Sequence, residues 1–227
     1  MEVAGWLVRL GGGTTRRTNS INPLQCGPRD PSAVLERLIA PFRAAGANVI
    51  FRVPDIAHGM AEALTAAGIE TPEAETRTLF TDLSVLPEDD GSAELLERPA
   101  PGWLAARAKF NDAGRADSAV YRETVASIAL PVRFAATRHH GEIASVAYGV
   151  ISGRLLVVES VVTAPEARGR GLARKAVAGL MRWAAAAGAQ GACLQVVAGN
   201  EPAIALYRAL GFDSDLYRYH YRRLTER

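Results

Sequence analysis

The sequence predicts an α/β fold, because stretches with the period of strands alternate with stretches with the period of helices. The 227 residues are 48% hydrophobic, which is enough for a sizeable core in one large domain or two small ones. Three of the predicted helices stop just before a glycine, at Gly46, Gly68 and Gly188. Glycine is the residue that most often follows the end of a helix.

The first half of the chain has the predicted order β-β-α-β-α-β. Its opening strands flank Gly11, Gly12 and Gly13, as in a hairpin with a loop. Apolar residues at helical spacing, among them Leu38 and Phe42, indicate the first of its two helices. The predicted elements are strands over residues 6–10 and 14–21, a helix over 31–45, a strand over 48–53, a helix over 58–67 and a strand over 75–83.

Residues 87–102 are acidic and carry several prolines, which makes them the best candidate for a linker. We therefore predict two domains, residues 1–90 and residues 91–227. The second has the predicted order α-α-β-β-β-α-β-α-β-β, with Gly114 separating its first two helices. Those helices lie within residues 103–128, followed by strands over 132–137, 143–151 and 155–162, a helix over 171–187, a strand over 192–197, a helix over 201–210 and a strand pair over 212–222.

Residues 161–174 are the most informative stretch, because a strand opens there through a glycine-bearing turn directly into a helix. The first turn of a helix has backbone N–H groups without partners, and the helix dipole adds partial positive charge. Arg168, Arg170 and Arg174 add full charges, and the two glycines between them allow close approach to the backbone. The stretch predicts an anion site, although a plain connection with surface arginines would have the same composition.

Two motifs in this half resemble the GNAT superfamily of acetyltransferases. Arg168-x-x-Gly171-x-Ala173 fits the R/Q-x-x-G-x-G/A signature with which that superfamily holds the pyrophosphate of acetyl-coenzyme A. Downstream, residues 194–212 resemble the second half of its site, with a strand, a short helix carrying Tyr207 and a Gly-Phe exit. The two motifs together, in this order and spacing, are far more specific than either one alone.

The resemblance covers nearly all of residues 103–223 and implies a mixed, mostly antiparallel central sheet flanked by helices. The first half is similar to the same fold with its opening helices missing, so we expect two tandem GNAT-like units. Between Ile21 and Ala33 the first half has two prolines near the expected helix start and no R-x-x-G-x-G/A pattern. We therefore expect the first unit to be degenerate and to bind no coenzyme A.

The resemblance implies that the protein is an N-acetyltransferase that uses acetyl-coenzyme A as co-substrate, without a metal. The expected acceptor is a primary amine of a small molecule, an amino acid or a peptide, which attacks directly within a ternary complex. Holding both reactants in place supplies much of the rate. A non-catalytic coenzyme-A-binding sensor or scaffold is the alternative.

Two residues are candidates for catalysis on the same resemblance. Glu159, on the strand that leads into the loop, is the expected general base, and Tyr207 is the expected acid for the departing thiolate. Glu159 could instead pair with an arginine, and Tyr207 could instead pack on the sheet. Asn200 is expected either to contact the coenzyme or to cap the helix that begins at Glu201. The expected coenzyme-binding residues are Val161, Val162, Thr163, Arg168, Gly169, Arg170, Gly171, Leu172, Ala173, Arg174 and Asn200.

Composition argues against several other classes of protein. The net charge of +2 gives no general attraction to nucleic acid or to anionic membranes, so neither is an expected partner. Cys26 and Cys193 lack metal-ligand spacing and favour a reducing, cytoplasmic location over a disulfide scaffold. His139 and His140 are expected in a turn rather than at a metal. The N-terminus lacks the pattern of a secretory signal, and a homodimer is left open.

Overall fold

The computed structural model describes residues 1–27, 29–88, 90–111 and 115–225. Within these ranges its strands are β1 (Glu2–Val3), β2 (Trp6–Val8), β3 (Ile21–Pro23), β4 (Ile50–Pro54), β5 (Pro72–Asp82), β6 (Glu94–Leu96), β7 (Val132–His139), β8 (Glu142–Ser152), β9 (Leu155–Thr163), β10 (Gly191–Val197) and β11 (Ser214–Arg223). Its α-helices are α1 (Leu35–Ala44), α2 (Met60–Ala66), α3 (Pro101–Phe110), α4 (Arg115–Ala126), α5 (Leu172–Ala186) and α6 (Glu201–Arg208). Among the described residues, none of the helices has the length and apolar character needed to span a bilayer.

The chain folds into two compact units. One comprises Met1–Arg77, Val197–Gly199 and the chain from Tyr217 onward, and the other comprises Thr78–Val196 and Asn200–Leu216. The C-terminal strand therefore contributes to the first unit although it is distant in sequence. These units divide the chain differently from the predicted domains 1–90 and 91–227, which stay a prediction.

The first unit has a sheet in the strand order β1-β2-β3-β4-β11. β3 and β4 are parallel, with Ile21 opposite Phe51, and the other neighbouring strands are antiparallel. Apolar residues of α1 and α2 join the core of this unit, as their helical spacing predicts. Side chains fully buried in this core include Ile21, Leu38, Phe42, Phe51, Met60 and Leu64.

The second unit has the strand order β5-β10-β9-β8-β7-β6. β9 and β10 are parallel, whereas β6, β7, β8 and β9 pair antiparallel in succession. One core forms where α5 and α6 pack on the sheet, around Leu180 and Phe212. A second core surrounds Trp103 of α3, whose indole N–H donates to the carbonyl oxygen of Ala135 at 2.9 Å. The mixed, mostly antiparallel sheet flanked by helices is thus confirmed.

The same chain path occurs in both halves of the sequence. In the first, β3, α1 and β4 form a parallel crossover that continues into α2 and β5. In the second, β9, α5 and β10 form a crossover that continues into α6 and β11. α3 and α4 precede the second crossover, whereas residues 1–20, all of them described, form no α-helix. The predicted tandem arrangement, with its opening helices missing from the first half, is confirmed.

The predicted second strand, over residues 14–21, is wrong. Arg16–Thr18 forms a 3-10 turn, and the strand begins only at Ile21. The side chain of Asn19 accounts for the difference, because its Nδ2 donates to the Gly12 carbonyl at 2.7 Å and to two further carbonyls of the same loop. Such local side-chain bonds compete with the ladder of a strand.

The segment predicted as a linker, residues 87–102, contains the edge strand β6. Leu95 lies opposite Ala135 of β7, and the Glu94 carboxylate pairs with the Arg138 guanidinium at 3.3 Å. An edge strand needs one neighbour only and commonly carries charged residues. The acidic composition of this segment therefore reflects an edge strand in part of its length.

The other predicted elements are present, with bounds that differ by a few residues. The strand pair predicted over residues 212–222 is one strand, β11, because its pairing with β4 runs without a break from Tyr219 opposite Pro54 to Arg223 opposite Ile50. Gly114, predicted to separate α3 from α4, lies outside the described residues.

The packing at the start of β10 allows a test of the core. A Cβ atom at Gly191 would lie 2.5 Å from the Phe80 ring and 3.1 Å from a Leu155 methyl group. We expect Gly191→Ala to lower the free energy of unfolding by about 1–3 kcal/mol, the usual effect of overpacking, as measured by urea denaturation. Gly102→Ala is the control, because its methyl group would meet only Ile143 at 3.6 Å. Equal losses in both variants would contradict this account.

Candidate active site

The site begins where two parallel strands separate. β9 and β10 are in register from Leu155 opposite Gly191 to Val158 opposite Leu194, and their pairing ends there. β9 continues to Thr163 and keeps its other neighbour, β8. Among the described residues, the edge of β9 that faces β10 therefore has no strand partner beyond Val158. Backbone groups on such an edge can pair with a ligand as they would with another strand.

A β-bulge lies at the point of separation. Between the pairs that Glu159 and Val162 make with β8, two residues of β9 face a single residue of β8. One of the two, Ser160, has a φ of +54°, a left-handed conformation that is strained for a residue other than glycine. The Tyr121 hydroxyl of α4 donates to Ser160 Oγ at 2.9 Å and helps to hold it. Bulges of this kind re-aim side chains next to active sites.

The loop between β9 and α5 presents a row of backbone N–H groups. Gly169 and Gly171 both have a φ of +74°, which glycine adopts without strain, and Gly171 is the N-cap of α5. No side chain caps this helix. In the described part of the chain, the N–H groups of residues 169–174 meet no hydrogen-bond acceptor. Such donors, with the positive end of the helix dipole behind them, are the groups that anions bind at helix N-termini.

A cavity of about 680 Å³ joins this loop to the separated strands. All of the residues predicted to bind the coenzyme line it, and Tyr207 lines it as well. The lining comprises Val161, Val162, Thr163, Arg168, Gly169, Arg170, Gly171, Leu172, Ala173, Arg174, Asn200 and Tyr207, with the unpredicted residues Phe110, Asn111, Ala167, Pro202, Ala203 and Leu206.

Some of the unpredicted lining residues could have been identified from the sequence, and others could not. Ala203 lies four residues before Tyr207 and Leu206 lies next to it, so helical spacing from Tyr207 could have found Ala203. Phe110 and Asn111 come from the end of α3, far away in sequence. No local motif marks them, because only the packing of α3 brings them to the cavity.

Glu159 acts electrostatically on the buried Tyr207 and on the half-buried Cys193. Tyr207 is 7% exposed, and burial, followed by the negative charge of Glu159, raises the pKa of its hydroxyl to about 12. Burial and the same carboxylate also raise the pKa of the Cys193 thiol on β10. Glu159 itself is half-buried on β9 and lies outside the lining of the cavity. The charge of Glu159 thus reaches Tyr207, which does line the cavity.

Tyr207 and Asn200 each have a structural contact in addition to their place in the cavity. The Tyr207 ring packs edge-on against Phe212, with ring centroids 6.0 Å apart. Asn200 Oδ1 accepts a hydrogen bond from the Ala203 N–H at 3.3 Å and so caps α6. The alternatives drawn from the sequence are therefore compatible, since the cap uses only the side-chain oxygen of Asn200.

The structure offers no metal centre among the residues that it describes. No group of three or more His, Cys, Asp or Glu side chains there could hold a metal ion. His139 is the last residue of β7, and His140 and Gly141 form the turn to β8 with φ values of +50° and +83°. The two imidazole rings lie 3.9 Å apart, which agrees with their expected place in a turn.

Several solved structures have a similar fold. A GCN5-related N-acetyltransferase from Kribbella flavida is 21% identical with a TM-score of 0.69, and the match covers 91% of this chain and 82% of that one. A GCN5-related N-acetyltransferase from Sphaerobacter thermophilus is 19% identical with a TM-score of 0.64, covering 83% and 64%. A tandem GNAT protein from the clavulanic acid biosynthesis pathway is 14% identical with a TM-score of 0.69, covering 85% and 69%. At these identities the likeness shows the fold.

Sequence comparison places the chain in a family. No curated protein matches it. The model of one family, described as "Probable histone acetyltransferase Rv0428c C-terminal", matches residues 1–223. The separated strands, the glycine-bearing loop and the tandem fold agree with that match. The chain belongs to this acetyltransferase family, and its fold is that of the solved GNAT proteins.

Proposed function

We propose that the protein is an N-acetyltransferase that transfers an acetyl group from acetyl-coenzyme A to a primary amine. The observation that supports this most directly is one cavity that runs from the free N–H groups of residues 169–174 to the hydroxyl of Tyr207. The loop suits a diphosphate, and Tyr207, on whose pKa the Glu159 carboxylate acts, offers a proton donor in the same cavity. A site that only bound an anion would need the loop alone.

The residues of the cavity would hold the co-substrate along its length. The N–H groups of residues 169–174 would donate to the pyrophosphate, and Arg168, Arg170 and Arg174 would add charge. The free edge of Val161–Thr163 would bind the amides of the pantetheine arm as a neighbouring strand does. Acetyl-coenzyme A supplies an acetyl thioester, whose C–S bond breaks as the amine nitrogen forms a bond to the carbonyl carbon.

Two protons must move in this reaction. The Glu159 carboxylate accepts one from the amine, directly or through water, and the Tyr207 hydroxyl hydrogen-bonds to the sulfur and supplies the other. A phenol with a pKa of about 12 stays protonated at neutral pH. Its proton transfer to a thiolate whose own acid has a pKa of roughly 8.5 is uphill. The transfer becomes easier once Glu159 is protonated, because the loss of its charge lowers the pKa of Tyr207.

Cys193 is a cysteine within electrostatic reach of Glu159. Its raised pKa keeps it as a thiol, which is a poor nucleophile. It also lies outside the lining of the cavity. This favours direct attack by the amine over an acetylated cysteine intermediate.

The acceptor is proposed as a primary amine of a small molecule, an amino acid or a peptide. The description of the family names histones, and a lysine of such a protein would be one example of a peptide amine. Binding of coenzyme A measured by calorimetry, together with release of free thiol from acetyl-coenzyme A in the presence of a panel of amines, tests the proposal. Binding without thiol release would instead indicate a sensor or scaffold, and absence of both would refute the proposed site.

Substitution of Gly171 tests the anion site. Gly171→Glu places a carboxylate and a strained backbone where the diphosphate would bind, so we expect loss of measurable coenzyme A binding in calorimetry. Gly153→Glu is the matched control, because Gly153 has a φ of +60° in the turn between β8 and β9, outside the lining of the cavity. Normal affinity in the Gly171 variant would place the anion site elsewhere.

Glu159→Gln tests the general base. We expect kcat at neutral pH to fall by about 10²–10⁴-fold with little change in coenzyme affinity. The deficit should shrink as the pH rises towards about 10, because more of the amine is then already neutral. Glu166→Gln removes an exposed carboxylate from the turn that leads to the loop and serves as control. A deficit that does not change with pH would argue against proton removal by Glu159.

Tyr207→Phe tests the proton donor. We expect kcat to fall by about tenfold or more, measured in steady state with saturating acetyl-coenzyme A. In the wild type, the pKa of about 12 should preserve activity at pH values near 10, where an ordinary tyrosine is half ionised. The burial of this hydroxyl would be contradicted if the wild-type rate declined with an apparent pKa near 10 and this decline were absent from the Phe variant.

A further inference from the structure

The first unit has a small cavity of its own, with a volume of about 170 Å³. It lies where the chain leaves β3 and β4, and the coenzyme cavity takes the corresponding place at the second crossover, where the chain leaves β9 and β10. Of the described residues that line the smaller cavity, Arg52 of β4 is the only charged one. The lining therefore favours an anion.

Arg52 is half-buried, and no carboxylate of the described residues pairs with it. The nearest acidic residue in sequence, Asp55, accepts a hydrogen bond from the Arg218 backbone N–H at 3.1 Å and lines a different cavity. The guanidinium carbon of Arg52 lies 3.8 Å from the centroid of the Tyr219 ring, which fixes the position of the group. Partial burial of a charge that is not neutralised is unfavourable, so a bound anion would be stabilised.

A second arginine adds to the positive charge around Arg52. Partial burial, followed by the charge of Arg52, lowers the pKa of Arg9. Arg9 Nη1 donates to the carbonyl oxygen of Arg17 at 3.2 Å, and no carboxylate of the described residues pairs with Arg9 either. An anion beside Arg52 would therefore also offset the repulsion between these two guanidinium groups.

Two hydrogen-bond donors of the cavity lining are unused in the described part of the chain. Arg52 Nη2 donates to the Tyr217 hydroxyl oxygen at 3.0 Å, and Tyr217 also lines the cavity. Because that oxygen acts as an acceptor, the hydroxyl hydrogen is left to donate, and it meets no described acceptor. Arg52 Nη1 meets none there either and, unlike Nε, is not enclosed. A carboxylate has one oxygen for each of these two donors.

The rest of the lining suits a short apolar group. Leu24 and Ile56 line the cavity and are 44% and 39% exposed, so they leave apolar surface uncovered beside it. Pro23 and Pro54 extend this apolar wall. Since a cavity of roughly 150 Å³ holds a benzene molecule, the volume here allows a ligand of about six to eight non-hydrogen atoms. Coenzyme A is far larger than that.

We infer that this cavity binds a small monocarboxylate, with its carboxylate on Arg52 and Tyr217 and its apolar part against Leu24 and Ile56. The first unit thus has a ligand site of its own, although it lacks the glycine-bearing loop proposed to bind the coenzyme. This site is additional to the proposed acetyl transfer and does not depend on it.

Ligand-detected NMR with the intact chain tests the inference. The probes are the straight-chain carboxylates from acetate to hexanoate, the matching carboxamides and inorganic phosphate, at constant ionic strength, with and without coenzyme A. We expect at least one carboxylate to bind about tenfold or more tightly than its amide, as a charge-assisted hydrogen bond allows. Phosphate should bind more weakly, because it leaves the apolar wall uncovered. Equal binding of every carboxylate and its amide, or phosphate binding as tight as that of the best carboxylate, would overturn the inference.

Substitutions separate this site from other positive surfaces. Arg52→Gln should abolish the preference for the carboxylate, and Tyr217→Phe, which keeps the arginine, should weaken it by about two- to tenfold. Arg16→Gln is the matched control, because Arg16 lies 5.5 Å from the centroid of the Tyr221 ring but pairs with Glu73 at 3.1 Å, outside the cavity lining. Thermal unfolding verifies that each variant is folded, and Tyr217→Phe decides if Arg52→Gln is not. A preference that survives in the folded variants, or that Arg16→Gln also removes, would contradict the site.

Cys26 reports whether the ligand lies in this cavity. Its thiol is free and exposed and Cys26 lines the cavity, whereas Cys193 belongs to the other unit. The best carboxylate should slow alkylation of Cys26 by iodoacetamide in proportion to the fraction of sites occupied, and should leave alkylation of Cys193 unchanged. An unchanged rate at Cys26 under saturating ligand would place the carboxylate elsewhere and overturn the inference.

Discussion

The separation of β9 from β10 after Val158 is the constraint on which the site depends. A strand that loses one neighbour and keeps the other exposes ladder donors and acceptors along one edge without losing its position. The bulge at Ser160 and the loop that opens α5 both lie on the same continuous segment. One stretch of backbone therefore sets the relative positions of three features. They are the free strand edge, the bulge beside the proposed base and the loop proposed to bind the diphosphate.

Opposite charges act on different residues around the cavity. The loop carries the positive end of α5 and several arginines, and in the described part of the chain its N–H groups meet no acceptor. The carboxylate of Glu159, which lies outside the lining, acts on Tyr207 and Cys193, and burial strengthens that effect because the local dielectric constant is low. Burial and this charge both favour the protonated forms of the phenol and the thiol. The positive loop and the residues under the influence of Glu159 belong to a single unit of the protein.

The two units share a parallel crossover but differ in the segment that leads into its helix. Both contain a parallel crossover of strand, helix and strand. In the second unit, Gly171 takes a left-handed conformation as the N-cap of a helix with free N–H groups. In the first, a 3-10 turn over Ser32–Val34 precedes α1, whose N-cap is Val34 with a negative φ. The loop chemistry, rather than the fold, separates the two.

The sequence by itself determined the loop, the glycines and the order of most elements, because helical period, strand period and left-handed glycine positions are local properties of the chain. It was misleading where a local contact competed, as with Asn19 in the wrongly predicted strand, and where a distant partner decided, as with the edge strand β6. Only the tertiary structure brought Phe110 to the cavity and Cys193 within reach of the Glu159 charge. Their positions depend on how α3, α4 and the sheet pack, and no short-range pattern in the sequence encodes that packing.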